Sequence, residues 1–136
     1  GMFMEKALKI IIAVTALLLV VAGIQTYQKA QVRKAEQQQI NEKLAEEKKA
    51  EDELLNKAKD IVKNTLKDPD SAIFKDLVVK KTSPDKPKFV CGMVNAKNSM
   101  GGYVGYKGFI YIDGDTIPIL DDADGNLTDL IRKQCS

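Results

Sequence analysis

The hydrophobic pattern of the chain begins with one long apolar run. Residues 10–24 carry no charged side chain, and with Ala7, Leu8 and Lys9 the run reaches 18 residues. At about 1.5 Å of rise per residue, such a helix spans about 27 Å, close to the hydrocarbon thickness of a bilayer. A buried core helix is the alternative, but nothing else in the sequence is predicted to surround so uniformly apolar a helix. Residues 1–24 are therefore predicted to be a signal anchor or a signal peptide.

The flanks of this run bear on whether it is cleaved. Lys6 and Lys9 precede a short apolar centre, and small residues near 20–23 are typical of a peptidase site. The run nevertheless continues without a break into a long helical pattern, as a signal anchor does, and this favours a retained anchor. Lysines lie near both ends, so the positive-inside rule does not orient the segment.

Residues 25–53 form a polar stretch that contains neither glycine nor proline and is rich in Gln, Glu, Lys and Ala. These residue types favour a helix. Apolar positions are sparse, being Val32, Ile40 and Leu44. The pattern predicts a solvated helical stalk, or a weak coiled coil through which copies of the chain self-associate.

A denser apolar pattern over residues 54–136 predicts a folded domain. It starts with a stripe at helical spacing, formed by Leu54, Leu55, Ala58, Ile61, Val62 and Leu66. Pro69 disfavours helical geometry at the preceding residue and lacks a donor, so the helix is expected to stop there.

Four strands and a final helix are predicted after this stop. The strand segments are rich in β-branched and aromatic residues and are separated by turn residues; they lie at 72–80, 88–96, 102–112 and 116–120. The helix covers 126–135, with Asn126 as its N-cap. This order predicts an α+β fold, in which an antiparallel sheet of about four strands is packed by an N-terminal and a C-terminal helix.

The chain has two cysteines, Cys91 and Cys135, no CxxC motif and no histidine. A metal site is therefore not predicted. A single pair in a small exported domain usually forms a disulfide, which would here join the final helix to the second strand. The alternative is two unrelated buried thiols in a cytoplasmic domain. The disulfide is favoured, and with it a domain in the periplasm.

A family resemblance extends over about residues 60–112 and rests on two segments, LKDPDSAIFKD and VCGMVNAKNSMGGYVGYKGFIY. They are similar to a small bacterial domain of uncharacterised exported and prophage-encoded proteins, with the motifs LxDPxSAxF and VCGxVNAKNSxGGYxG. Met93 stands where a polar residue is expected, and Tyr106 where phenylalanine is usual. The resemblance implies an exported domain with a disulfide-bonded cysteine, and it implies no activity.

The glycine-rich stretch 90–112 is either a ligand-cradling loop or a hairpin. A phosphate cradle needs a glycine-rich turn that leads into a helix, whereas here a strand follows. The hairpin is favoured, with Gly101 and Gly102 supplying positive φ angles at the turn. Side chains along both of its strands are predicted to alternate between two faces, with Val90 and Val94 on the face opposite to Cys91. Glycines at 92, 105 and 108 are expected to leave gaps for close packing.

The tip of this hairpin is more polar than a turn requires. Asn and Ser often satisfy backbone groups locally, and this structural role is favoured. The alternative is a binding surface formed by Asn95, Lys97, Asn98, Ser99, Tyr103 and Tyr106.

Catalysis, cofactors and nucleic-acid binding are not predicted. Without histidine, neither a Ser-His nor a Cys-His arrangement is available. The aspartates between 113 and 124 lie in turn-like segments without apolar surroundings, and their spacing does not match an EF-hand.

Residues 57–107 hold eleven lysines against five acids, whereas residues 108–136 hold six acids against two basic residues. Such a dipolar domain docks on a complementary partner or packs head to tail.

These patterns predict a single-pass inner-membrane protein whose periplasmic domain binds or scaffolds an envelope protein partner. Two alternatives stay open. The layout is similar to that of Tol- and TonB-type proteins, which favours a tethering or energy-coupling helper by analogy of architecture. The prophage association of the resembling family favours a secreted inhibitor or immunity factor.

Overall fold

The computed structural model of the protein describes residues 1–121 and 127–136. Its elements follow one another as α1 (Met2–Lys63), a 3-10 turn (Pro69–Ser71), β1 (Ile73–Lys80), β2 (Phe89–Asn95), β3 (Lys107–Ile112), β4 (Ile119–Leu120) and α2 (Thr128–Cys135). The predicted α+β class is confirmed. The chain divides into two compact units, Gly1–Glu46 and Glu47–Ser136.

The first unit is helical from Met2 onwards. It contains an 18-residue window with a mean hydropathy of 2.7, long and apolar enough to cross a membrane, and none of that window is buried. The hydroxyls of Thr15 and Thr26 donate to the backbone carbonyls of Ile11 and Ala22, at 3.0 and 2.8 Å. Hydroxyls bonded within their own helix tolerate an apolar environment. This helix has the properties of a membrane anchor or a signal sequence.

The second unit is built on an antiparallel sheet in the order β1-β2-β3-β4. In β2 and β3, successive side chains point to opposite faces, as strand geometry requires. Val90 and Tyr111 pair across the ladder and belong to one core cluster, whereas the next pair, Cys91 and Ile110, belongs to another. The alternation predicted for these two strands is therefore confirmed within Phe89–Asn95 and Lys107–Ile112.

The C-terminal part of α1 covers the first face of the sheet. Leu54, Ala58 and Val62 lie at i, i+4 and i+8 on one stripe and are buried against the first cluster, which also includes Val90, Val94, Phe109 and Tyr111. The rings of Phe74 and Phe109 form a T-shaped pair with centroids 6.0 Å apart. Gly92 makes this packing fit, because an added Cβ would collide with the Leu77 side chain and lie 2.8 Å from Phe109 Cζ.

The short helix α2 lies on the second face. Two of its residues, Ile131 and Cys135, pack against a smaller cluster on the sheet, formed by Phe89, Cys91, Ile110, Ile112 and Ile119. None of the residues of α2 is itself buried. The predicted disulfide joins Cys91 to Cys135, with a Cα–Cα distance of 5.8 Å. Lys80 Nζ donates to the carbonyl oxygens of Cys135 and Ser136 at 2.9 and 3.0 Å. Covalent and polar links therefore reinforce a small apolar contact.

The strand β1 forms one edge of the sheet and contains an irregularity. Its pairing with β2 shifts register between Lys75 and Val78. Asp76, within this bulge, has φ of 55°, a left-handed conformation that non-glycine residues adopt only occasionally.

Several predicted boundaries are wrong by a few residues. The third strand begins at Lys107 instead of residue 102, and the fourth covers only Ile119–Leu120. Pro118 cannot donate to a ladder, which accounts for the late start of β4. At the turn, Gly101 has the expected positive φ of 82°, whereas Gly102 is not among the residues with positive φ. The predicted N-cap Asn126 lies outside the described residues.

Gly105 has a different structural role from the one predicted. No atom lies within 4 Å of a Cβ added there, so it leaves no gap for packing. Its φ of 98° is instead a backbone requirement that glycine meets without strain.

Candidate binding surface

The tip of the β2–β3 hairpin is ordered by the side chain of Asn98. Its Oδ1 accepts hydrogen bonds from the backbone N–H groups of Met100 and Gly102, at 3.0 and 3.1 Å. Its own N–H donates to Gly102 O at 2.8 Å, and its carbonyl oxygen accepts from Gly101 N at 3.1 Å. Asn98 therefore fixes the conformation of the turn.

Below the tip, the pairing register between the two sides of the hairpin shifts by one residue. Lys97 bridges Tyr103, whereas Val94 pairs with Lys107, so the returning side holds one extra residue. Asn95 Oδ1 accepts a hydrogen bond from Gly105 N at 3.1 Å within this interval. The side chain of Asn95 replaces a ladder partner that the backbone does not supply, and the left-handed Gly105 allows the chain to rejoin β3.

The hairpin is fastened to the turn that follows α1 through Ser71. The backbone N–H of Lys97 donates to Ser71 Oγ at 2.8 Å, and the Tyr103 hydroxyl donates to Ser71 O at 3.1 Å. The Ser71 hydroxyl in turn donates to Asp68 O at 2.8 Å. The two sequence motifs identified above thus meet in space, with the DPDSA segment holding the VNAKNS segment in place.

Two lysines lie against the tyrosine rings of this region. Lys75 Nζ is 4.0 Å from the centroid of the Tyr106 ring, and Lys97 Nζ is 5.6 Å from that of Tyr103. Distances below about 6 Å are favourable for cation–π attraction.

Three lysines border a cleft of about 330 Å³ on the face of the sheet where α1 ends. Lys67 comes from the turn after α1, Lys97 from the hairpin and Lys107 from the start of β3. The apolar part of the lining consists of Leu66, Val94, Ala96, Val104 and Leu120. We call this feature the lysine cleft. None of its three lysines forms an ion pair with a carboxylate in residues 1–121 or 127–136.

One carboxylate, that of Asp121, also lines the lysine cleft. Both of its oxygens lie within hydrogen-bond distance of the Thr128 hydroxyl, at 2.8 and 2.7 Å. Its negative charge is therefore partly engaged by the start of α2.

The six residues of the predicted binding surface have different positions. Lys97 and Asn98 line the lysine cleft, whereas Asn95 and Tyr103 support its wall through the hydrogen bonds described above. Tyr106 packs against Lys75 and is not part of the cleft lining. The remaining member, Ser99, is exposed at the hairpin tip.

Two cleft lysines, Lys67 and Lys107, were not in the predicted set. They are 30 and 10 residues away from Lys97 in the sequence, and only the fold brings them together. The signal that was present is the lysine excess over residues 57–107, which indicates a basic surface without specifying its members.

A separate ion pair lies at the other end of the sheet. Lys57 Nζ donates to Asp113 Oδ1 at 3.4 Å. This hydrogen bond, with a smaller contribution from Tyr111, raises the pKa of Lys57 above its ordinary value of 10.5. Among the described residues, no group of three His, Cys, Asp or Glu side chains is arranged to hold a metal ion.

No family model, curated protein or solved structure matches the chain. The resemblance to the exported and prophage-encoded domain stays a prediction from the two motifs.

Proposed function

We propose that this protein is a membrane-anchored binding module of the bacterial envelope. It is a single-pass inner-membrane protein whose α+β domain lies in the periplasm, where it binds or scaffolds another envelope protein. The observation that carries the proposal is the Cys91–Cys135 disulfide, located on the same chain as an unburied apolar helix. Disulfides persist in oxidising compartments and are rare in the cytosol.

The membrane part of the proposal is supported by the first unit. Its apolar window leaves about 18 residues of side chains without burial, and water is an unfavourable environment for a surface of that kind. A bilayer removes it from water while α1 satisfies its own backbone hydrogen bonds.

A binding role is supported by the construction of the hairpin. Three polar side chains, those of Ser71, Asn95 and Asn98, hold its backbone in one conformation. A surface that is already ordered loses less conformational entropy when a partner binds. The chain contains no histidine to act as a general base, so binding fits its residues better than catalysis does.

Thiol labelling followed by intact-mass measurement tests the compartment. The full chain is produced in a Gram-negative cell and treated with a membrane-permeant alkylating reagent before any reduction. The membrane fraction is expected to contain full-length protein without alkyl groups. The Cys135→Ser variant has one free thiol and is expected to gain one alkyl group, which checks that the reagent reaches Cys91.

Two outcomes would contradict the proposal. Two alkyl groups on the wild-type protein would place the domain in the cytoplasm. A mass that begins near residue 23, found outside the membrane fraction, would identify a released protein and favour the secreted inhibitor or immunity factor instead.

A further inference from the structure

We propose that the lysine cleft binds a short acidic segment of a protein partner, one in which carboxylates lie next to aliphatic side chains. The inference deepens the proposed function, since it names the site and the chemistry of its ligand. It rests on the proposed function in one respect, namely that the partner binds the cleft in the periplasm.

The charge of the cleft favours an anionic ligand. Lys67, Lys97 and Lys107 come from three different elements, yet they border one cavity. In the described parts of the chain none of them has a carboxylate within 4.0 Å. The Asp121 carboxylate, which is partly engaged by Thr128, offsets only part of the positive charge of three lysines, so an anionic segment would be attracted to the cleft.

The apolar lining favours a ligand with aliphatic groups as well as charge. Val104 is 57% exposed although it faces the cleft, and it lies near the buried Val94 and Ala96. Covering such a surface with an aliphatic side chain removes apolar area from water. The volume of about 330 Å³ is at the small end of the range for ligand sites, about 300–1,000 Å³, so it suits a few side chains.

Backbone donors distinguish this cleft from a phosphate site. Phosphate groups are usually bound by several backbone N–H groups that converge on the ligand. Here those of Lys97, Asn98, Gly102 and Gly105 already donate within the protein. Lysine ammonium groups then act as separate point charges, which suits carboxylates spaced along a peptide better than one compact phosphate.

The test measures binding of an acidic peptide to the full chain in micelles of a neutral detergent. The probe is a fluorescein-labelled octapeptide of aspartate, glutamate and leucine, observed by fluorescence anisotropy. Wild-type protein is expected to bind it, with affinity falling as NaCl is raised, because exposed charge pairs are screened by salt.

The central variant is K67Q/K97Q/K107Q, and its matched control is K59Q/K81Q/K86Q, which removes the same charge from lysines that do not line the cleft. Each exposed charge pair contributes modestly to binding, so the loss of three such pairs should weaken binding by the central variant about tenfold. The control variant is expected to bind within about twofold of wild type. Unchanged thermal unfolding of both variants shows that the fold is retained.

A second pair of measurements tests the apolar contribution. Val104→Ser is expected to weaken binding of the leucine-containing peptide and to leave unfolding unchanged, because Val104 is largely exposed. A peptide in which every carboxylate is replaced by its amide is expected not to bind. Equal binding of the amide peptide, or equal binding by the two triple variants, would overturn the proposal.

Competition separates a peptide ligand from an anionic lipid. Phosphatidylglycerol added to the micelles is expected to displace the probe less effectively than unlabelled peptide does. Stronger displacement by the lipid would assign the cleft to headgroups and overturn the proposal.

The thiol-labelling experiment and the peptide-binding experiment are independent of each other. If the purified protein binds the peptide but both cysteines are alkylated in the cell, the cleft proposal is supported and the periplasmic location is contradicted. If neither cysteine is alkylated but the peptide does not bind, only the cleft proposal is contradicted.

Discussion

The two faces of the sheet are covered by helices that are held in different ways. On the first face, the largest fully buried side chains of the described structure, Tyr111, Phe109, Val62 and Val90, form one continuous cluster with α1. On the second face, α2 has eight residues and buries none of them. The first contact depends on apolar burial, and the second depends on the disulfide and on Lys80.

This difference shows how a small domain can attach a helix that would not form alone. An isolated helix of eight residues is too short to be stable in water, because nucleation costs more than so few hydrogen bonds return. The bond from Cys135 to Cys91 holds α2 near the sheet whether or not its apolar contacts persist. We therefore expect the two faces to respond differently to the same kind of change.

The largest effect is expected from Phe109→Ala on the first face. The Phe109 side chain is fully buried and meets the ring of Phe74. Truncation of a buried phenylalanine costs about 3–5 kcal/mol, a large part of the roughly 5–15 kcal/mol that stabilises a typical domain. Urea unfolding followed by near-ultraviolet circular dichroism of the tyrosines measures the loss. Ile117→Ala, at a residue 72% exposed, serves as control, and equal midpoints for the two variants would refute the prediction.

On the second face, Cys135→Ala tests the covalent link. The bond closes a segment with a sequence separation of 44, for which the chain-entropy relation gives about 4 kcal/mol. Hydrogen exchange is expected to show early loss of protection in Thr128–Cys135 while β2 and β3 remain protected. Reduction of the wild-type protein should give the same pattern. Full protection of α2 in the variant would mean that apolar contacts suffice to hold it.

A matched pair of glycine substitutions compares how tightly each face is packed. Gly92→Ala places a Cβ against Leu77 and 2.8 Å from Phe109 Cζ, within the first cluster. Overpacking of this kind costs about 1–3 kcal/mol. Gly108→Ala meets only the Ile131 side chain, at 3.1 Å, and Ile131 belongs to α2, which has no buried residue. We expect its cost to be clearly smaller.

The measurement for this pair is the urea midpoint of each variant. Gly102→Ala is the control, since the nearest atom to its added Cβ is 3.9 Å away. A larger cost for Gly108→Ala than for Gly92→Ala would show that the second face is the more rigid one.

The smallest effect is expected from the Lys57–Asp113 pair, whose side chains are about half exposed. Because folding raises the pKa of Lys57, the pair contributes stability that is fully present below 10.5 and is lost as pH rises through the folded pKa. Unfolding midpoints of wild type should therefore fall more steeply above pH 10.5 than those of Asp113→Asn. Asp115→Asn removes a neighbouring carboxylate and should keep the wild-type dependence. Parallel pH profiles for all three proteins would exclude the pair as a contributor.

The sequence predicts the layers of the fold well because alternation and helical spacing are local properties. The stripe that begins at Leu54, the alternation along β2, and the Cys91–Cys135 bond are all confirmed. Strand ends were less predictable. The late start of β3 depends on one extra residue between Tyr103 and Lys107, and on a hydrogen bond from Gly105 to the distant Asn95 side chain.

The candidate site could be predicted only in part, for the same reason. Lys97 and Asn98 were identified because they stand out within one short polar stretch. Ser71 gave no such signal, although it joins the hairpin to the turn after α1. Contacts between segments 26 or more residues apart depend on the assembled sheet, so local composition could not reveal them.

The bulge at Asp76 has a consequence for copies of this domain that are crowded side by side. An unpaired strand edge is a template on which another chain can add, and proteins avoid this with bulges, charges, proline and short strands. The β1 edge carries a left-handed residue between Lys75 and Val78, and the β4 edge is two residues long and follows Pro118. Both margins of the sheet therefore discourage the growth of intermolecular β-structure when the domain is at high local concentration.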